Sequence, residues 1–105
     1  MTTVSSGIYI IRCDSDSIKI GMSDDIGRRL KQYTGYQGSA KPVQKLMIVY
    51  TADYRNFEKM SHKFASTFGL PRHMPYEVFN CPLEKQDTFL DAYRNHIESR
   101  YHPTI

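Results

Sequence analysis

Apolar and polar positions alternate in a way that divides the chain into short extended runs and longer helical ones. Residues 7–13 and 17–22 are rich in isoleucine, and Asp14, Ser15, Asp16 and Ser17 between them are turn formers, which predicts a β-hairpin. Side chains alternate faces along a strand, so the parity of the loop decides which of them meet. An odd loop puts Ile8, Ile10, Ile18 and Ile20 on one face and Tyr9, Ile11, Lys19 and Gly21 on the other. An even loop points Tyr9 and Lys19 opposite ways. The clean sorting of the isoleucines favours the odd loop. Ser23 then reads as a helix N-cap, with Asp24 and Asp25 in the first turn and Ile26, Leu30 and Tyr33 along one stripe. Arg29 lies on the flank of that stripe, and Gly35 ends the helix. After a loop over residues 35–42, the unbroken apolar run at 45–51 predicts a central strand buried on both faces.

Asp53 is placed to cap a helix over residues 54–68, whose stripe is Phe57, Met60, Phe64 and Phe68 and whose end is marked by Gly69-Leu70-Pro71. Residues 74–79 form a short extended segment interrupted by Pro75. Pro82 opens a last helix to about residue 100, carried by Phe89, Leu90, Tyr93 and Ile97. The expected fold is α+β in one domain over residues 1–105: a small three-stranded sheet, antiparallel or mixed, made of the hairpin plus a third strand and flanked by about three helices.

Composition adds limits. A net charge of +3 permits an anionic partner without demonstrating one. Cys13 and Cys81 have no zinc-ligand spacing around them and read as packed free thiols. No run approaches the roughly 18 apolar residues of a membrane span. The opening Met1-Thr2-Thr3-Val4-Ser5-Ser6 lacks a basic end leading into an apolar run, so an intracellular protein, cytoplasmic or nuclear, is expected.

Five elements recur in a telling order: Gly7-Ile8-Tyr9, Lys19-Ile20-Gly21, Arg29 with Tyr33, Glu58 with His62 four residues on, and Glu77-Val78-Phe79. In this order they resemble the core of the GIY-YIG nuclease superfamily. The likeness is strongest to the branch common in phages and large DNA viruses, where the second motif reads Lys-Ile-Gly. It spans residues 7 to about 79 and leaves the last helix, 82–100, outside. Lysine stands where other members carry the second-motif tyrosine, and a late asparagine of some relatives has only Asn80 and Asn95 as candidates. The resemblance implies a metal-dependent endonuclease that hydrolyses DNA phosphodiester bonds, or a nucleic-acid-binding module that keeps the fold without turnover.

The residues supply that chemistry in detail. Phosphodiester cleavage needs an activated water, stabilised phosphoryl oxygens and help for the leaving oxygen. Tyr9 is a candidate for handling the water. A phenol near pKa ~10 is a poor base unless its anion is favoured, and a lysine on the same face, Lys19, does that. Arg29 offers a fixed fork to phosphate oxygens, and Tyr33 a hydroxyl. The bland readings stand beside these: a strand tyrosine, a solvated lysine, an Arg29–Asp25 pair and a core Tyr33. Glu58 is the candidate ligand for magnesium or manganese, which take few protein carboxylates, with Glu77 as the rival. His62 could contact phosphate, orient Glu58 or move a proton. Arg28, Lys31, Lys41, Lys45, Arg55, Lys59, Lys63 and Arg72 are candidates for tracking DNA phosphates, although a scatter of solvated cations explains most of them equally well. So short a chain has either low specificity or specificity borrowed from a homodimer or a protein partner.

Overall fold

The hairpin forms with the odd-loop register that the isoleucines favour. In the computed structural model, which describes residues 4–34, 44–73 and 77–101, β1 (Gly7–Asp14) pairs antiparallel with β2 (Ser17–Ser23). Tyr9 lies opposite Gly21, Ile10 opposite Ile20, and Ile11 opposite Lys19. The register shifts between Arg12 and Asp14, and Cys13 is the extra residue there. Cys13 is exposed rather than packed, whereas Cys81 is buried, and both are free thiols.

Helix α1 (Ile26–Thr34) starts two residues later than the cap at Ser23 predicts. Asp25 performs the capping instead, its Oδ1 accepting the Arg28 backbone N–H at 3.1 Å. Ser23 is buried and turned inward, exchanging hydrogen bonds with the backbone of Asp25. Strand β3 (Gln44–Tyr50) follows, then α2 (Tyr54–Phe68), which has the predicted bounds. Asp53 sits at its N-cap but accepts from the Asn56 side chain at 2.8 Å rather than from a backbone N–H. Gly69 closes α2 at φ 104°, a left-handed position that glycine tolerates best. Two short strands, β4 (Arg72–His73) and β5 (Val78–Asn80), precede α3 (Leu83–Tyr101).

Among the described residues the sheet has five antiparallel strands in the order β3-β1-β2-β5-β4, not three. Strand β3 is therefore an edge strand and not the central one its apolar run predicts. That run is explained by cover on its two faces. Met47 and Val49 pack with the isoleucine face against α2 and α3, while Ile48 packs with Tyr9, Ile11, Ile26 and Leu30 beneath α1. Face burial makes a strand apolar whether or not its outer edge is paired. The larger core holds Ile8, Ile10, Ile18 and Ile20 against Ala65 of α2 and Phe89, Tyr93 and Ile97 of α3. Inside it the Ser61 hydroxyl meets the Tyr93 hydroxyl at 2.5 Å and donates to the Phe57 carbonyl. These contacts clamp α2 to α3 and fix where α2 crosses the sheet. No helix among the described residues is long and apolar enough to cross a membrane.

Candidate functional site

Parity brings Tyr9 and Lys19 to one face of the sheet. Tyr9 is 1 % exposed, and its ring reaches across β2 with the hydroxyl over Gly21. A Cβ at Gly21 would run into that ring and hydroxyl, so the glycine of Lys19-Ile20-Gly21 makes room for the tyrosine of Gly7-Ile8-Tyr9. The two motifs are halves of one packing arrangement.

Lys19 stands half-buried where β2 meets β5. Beyond that pairing the Ile20 N–H donates to the Glu77 carbonyl at 3.0 Å, and the Ile20 carbonyl accepts from the His62 ring Nε2 at 2.8 Å. The backbone of β2 thus draws in Glu77 from the chain entering β5 and His62 from α2. Glu58 lies one helical turn before His62 and follows it to this edge. The side chains gather around the β2 edge, Lys19 from the α1 face and Glu58 from the α2 face.

Electrostatics confirm that they are neighbours. Burial pushes the Glu58 carboxyl up to about 7. A hydrogen bond shared with Glu77, and the charge of Glu77, push the same way, while Arg72 and Lys19 oppose them. With its carboxyl pushed up to about 7, Glu58 is about half-protonated at neutral pH. Glu58 Oε2 is buried and has no hydrogen-bond partner. Burial also lowers the His62 pKa below its usual range; the Ile20 carbonyl and Glu77 work against this and Arg72 with it. The neutral ring that donates from Nε2 keeps its lone pair on Nδ1.

Arg72, one of the cations expected to track phosphate, is a member of the cluster through the charge it exerts on Glu58 and His62. It is exposed on β4 opposite Phe79, with its guanidinium 5.9 Å from the Phe79 ring centroid. The His62 ring lies 5.4 Å from the other partner of that contact, Phe79 itself. The Phe79 ring therefore spaces Arg72 from His62. Nothing in the local pattern around Leu70-Pro71-Arg72 sets it apart from the other cations.

The remaining candidates divide. Arg29 is half-buried on the flank of α1 turned toward β2, because Gly27 and Lys31 on the opposite flank line a groove beside β3. Asp25 caps the backbone rather than pairing with Arg29, and Asp24 pairs with Arg28 at 3.1 Å between two exposed side chains. Lys63 is exposed next to His62 on α2. Tyr33 falls in the last turn of α1, but its side chain lies outside the described residues, as does Lys41.

An orphaned buried carboxylate oxygen with a second carboxylate beside it suits a hard divalent cation. No group of three or more His, Cys, Asp or Glu side chains that could hold a metal occurs among the described residues. The donor set fits magnesium or manganese, which keep several waters and accept substrate phosphate, and does not fit a closed zinc site.

No curated protein and no solved structure matches this chain. The profile of the T5orf172 domain matches residues 6–94, which covers the whole sheet, α1, α2, most of α3 and every residue of the cluster. The chain belongs to the T5orf172 domain family, a domain found in phage-type and other nuclease-like proteins.

Proposed function

We propose that the protein is a metal-dependent endonuclease of the GIY-YIG type, hydrolysing DNA phosphodiester bonds where β2 runs past the end of its pairing with β5. The carrying observation is the Glu58 carboxyl, with one buried unpartnered oxygen, its pKa raised by burial and by Glu77 and opposed by the charges of Arg72 and Lys19. Simple structural roles do not account for it. A carboxyl held half-protonated near neutral pH weakens a salt bridge, whereas a site that loads a cation regains the lost stability on binding.

In this reading Glu58, with Glu77 beside it, would hold magnesium or manganese, which when bound supplies Lewis acidity toward the phosphate. Lys19 lies on the same face of the sheet as Tyr9, and its ammonium would favour the phenolate. The Tyr9 phenolate, its own proton released to solvent, then takes a proton from the attacking water. The new bond forms between that water oxygen and phosphorus as the bond from phosphorus to the leaving sugar oxygen breaks. Arg29 and Arg72 offer guanidinium groups to the non-bridging oxygens, where negative charge accumulates. His62, tied to Ile20 through Nε2, sets the height of α2 over the edge and so positions Glu58.

The test is nicking of supercoiled plasmid and branched DNA with Mg2+ or Mn2+. Nicking lost in Glu58→Gln and Arg29→Ala, with the fold intact by circular dichroism, supports the enzyme. Salt-sensitive DNA binding without nicking under either metal replaces it with the binding module.

A further inference from the structure

Strand β3 ends the sheet on the side away from the Glu58 cluster, and its outer edge is unusual. Among the described residues β3 is hydrogen-bonded to β1 alone. An open edge presents a row of unpaired N–H and C=O groups, which natural proteins blunt with charges, bulges or cover. The first half of β3 has two such devices. Lys45 is exposed, and the register with β1 shifts between Ile10 and Ile11, which leaves Leu46 as a bulge. The second half, Met47, Ile48, Val49 and Tyr50, has no charge and no register shift.

Grooves follow that second half on both faces of the sheet. On the α3 side a cavity of about 460 Å³ is bounded by Met47, Val49 and Ile97, with Arg94 and Glu98 at its rim. On the α1 side one of about 370 Å³ is bounded by Ile11, Leu30 and Ile48, with Lys31 and Lys45 at its rim. Tyr50 lines both and is 58 % exposed. A strand added to this edge would drop alternate side chains into the two grooves, as in β-augmentation.

The rim charges select the occupant. Arg94 and Glu98 are one helical turn apart on α3 and border the same groove; Arg94 also pairs with Asp91 at 3.3 Å, an exposed contact that leaves its guanidinium room for a second carboxylate. A two-fold axis perpendicular to the sheet would lay α3 antiparallel to its copy, bringing Arg94 to the partner subunit's Glu98, and the reverse pair likewise. Opposite residues of an antiparallel pair share a face, so the axis must pass at a residue rather than between two. Placed at Ile48, it pairs Met47 with the partner subunit's Val49 and leaves every apolar side chain on its own face. We propose that this chain forms a two-fold homodimer by antiparallel β3–β3 pairing. The two five-stranded sheets become one, and the two Glu58 clusters stay open, since each is separated from the interface by β1 and β2. The proposal is independent of the nuclease reading.

Sedimentation equilibrium on the full chain tests it. Wild type should approach twice 12.2 kDa through the micromolar range. Glu98→Arg and Tyr50→Asp, both at positions outside the core, should each weaken the dimer by roughly tenfold or more. The double swap Arg94→Glu/Glu98→Arg, made in an Asp91→Asn background so that the Arg94–Asp91 pair is not turned into a repulsion, should recover the affinity of the Asp91→Asn protein, because the pairs across the axis re-form with exchanged signs. Hydrogen exchange at Met47 to Tyr50 should slow as concentration rises. A chain that stays monomeric overturns the proposal, and so does a dimer indifferent to Tyr50→Asp and to the swaps. A dimer that forms only with an added peptide or protein would assign the edge to a different partner.

Discussion

Between pH 6 and pH 8 the affinity of the protein for Mn2+ should rise about tenfold, and Glu58 should account for the rise. Its carboxyl is half-ionised at about pH 7, so the ionised fraction climbs from roughly one tenth to roughly nine tenths across that window. An ordinary glutamate near 4.5 would already be almost fully ionised at both ends, giving a nearly flat profile. Burial, the hydrogen bond with Glu77 and the charge of Glu77 make the difference, in that order. Glu77→Gln removes the Glu77 charge and should slide the rise toward lower pH, and Glu58→Gln should abolish it. His62 does not mimic the effect, since burial keeps it neutral over most of the window. Free Mn2+ can be read by electron paramagnetic resonance at each pH. Affinity that is level from pH 6 to pH 8, or that rises equally in Glu58→Gln, refutes the reasoning.

The same group fixes the sign of a stability effect. The folded value is raised, so its stabilising contribution is fully present below pH 4.5 and is lost as pH climbs through about 7. The melting temperature of the metal-free protein should therefore fall from pH 5 to pH 8 more steeply than that of Glu58→Gln. Added Mn2+ should offset the fall at pH 8.

Other predictions concern packing and the cluster. Gly21→Ala forces Tyr9 out of place and should cost about 1–3 kcal/mol in urea unfolding, whereas Gly27→Ala, whose Cβ meets only Asp25 Oδ1 at 3.7 Å, should gain about 0.5–1 kcal/mol. Ser61→Ala removes a buried hydrogen bond to the Tyr93 hydroxyl and should cost about 0.5–1.5 kcal/mol, with the urea midpoint lowered at unchanged slope. Arg72→Gln removes a charge that holds the Glu58 pKa down, so the Mn2+ profile should move to higher pH.

The sequence by itself determined the hairpin and what it presents. Strand side chains repeat every two residues, so sorting the isoleucines onto one face leaves Tyr9 and Lys19 on the other, whatever the rest of the chain does. Local signals also placed α2, whose stripe and left-handed Gly69 need no distant partner. Tertiary structure decided the remainder. Strand β3 looked central because helices cover both its faces, and face cover and edge pairing are independent properties that leave the same apolar pattern. Strands β4 and β5 are two and three residues long and exist through pairing with each other and with β2; the extended segment expected over 74–79 overlaps β5 at Val78 and Phe79, but its place in the sheet and the whole of β4 are set by that pairing. The meeting of Glu58 with Glu77, and of both with Lys19 and Arg72, depends on how α2 crosses the sheet and how β5 docks on β2. A carboxyl's neighbours in space, and hence its pKa, are set by that docking and have no counterpart in residue spacing.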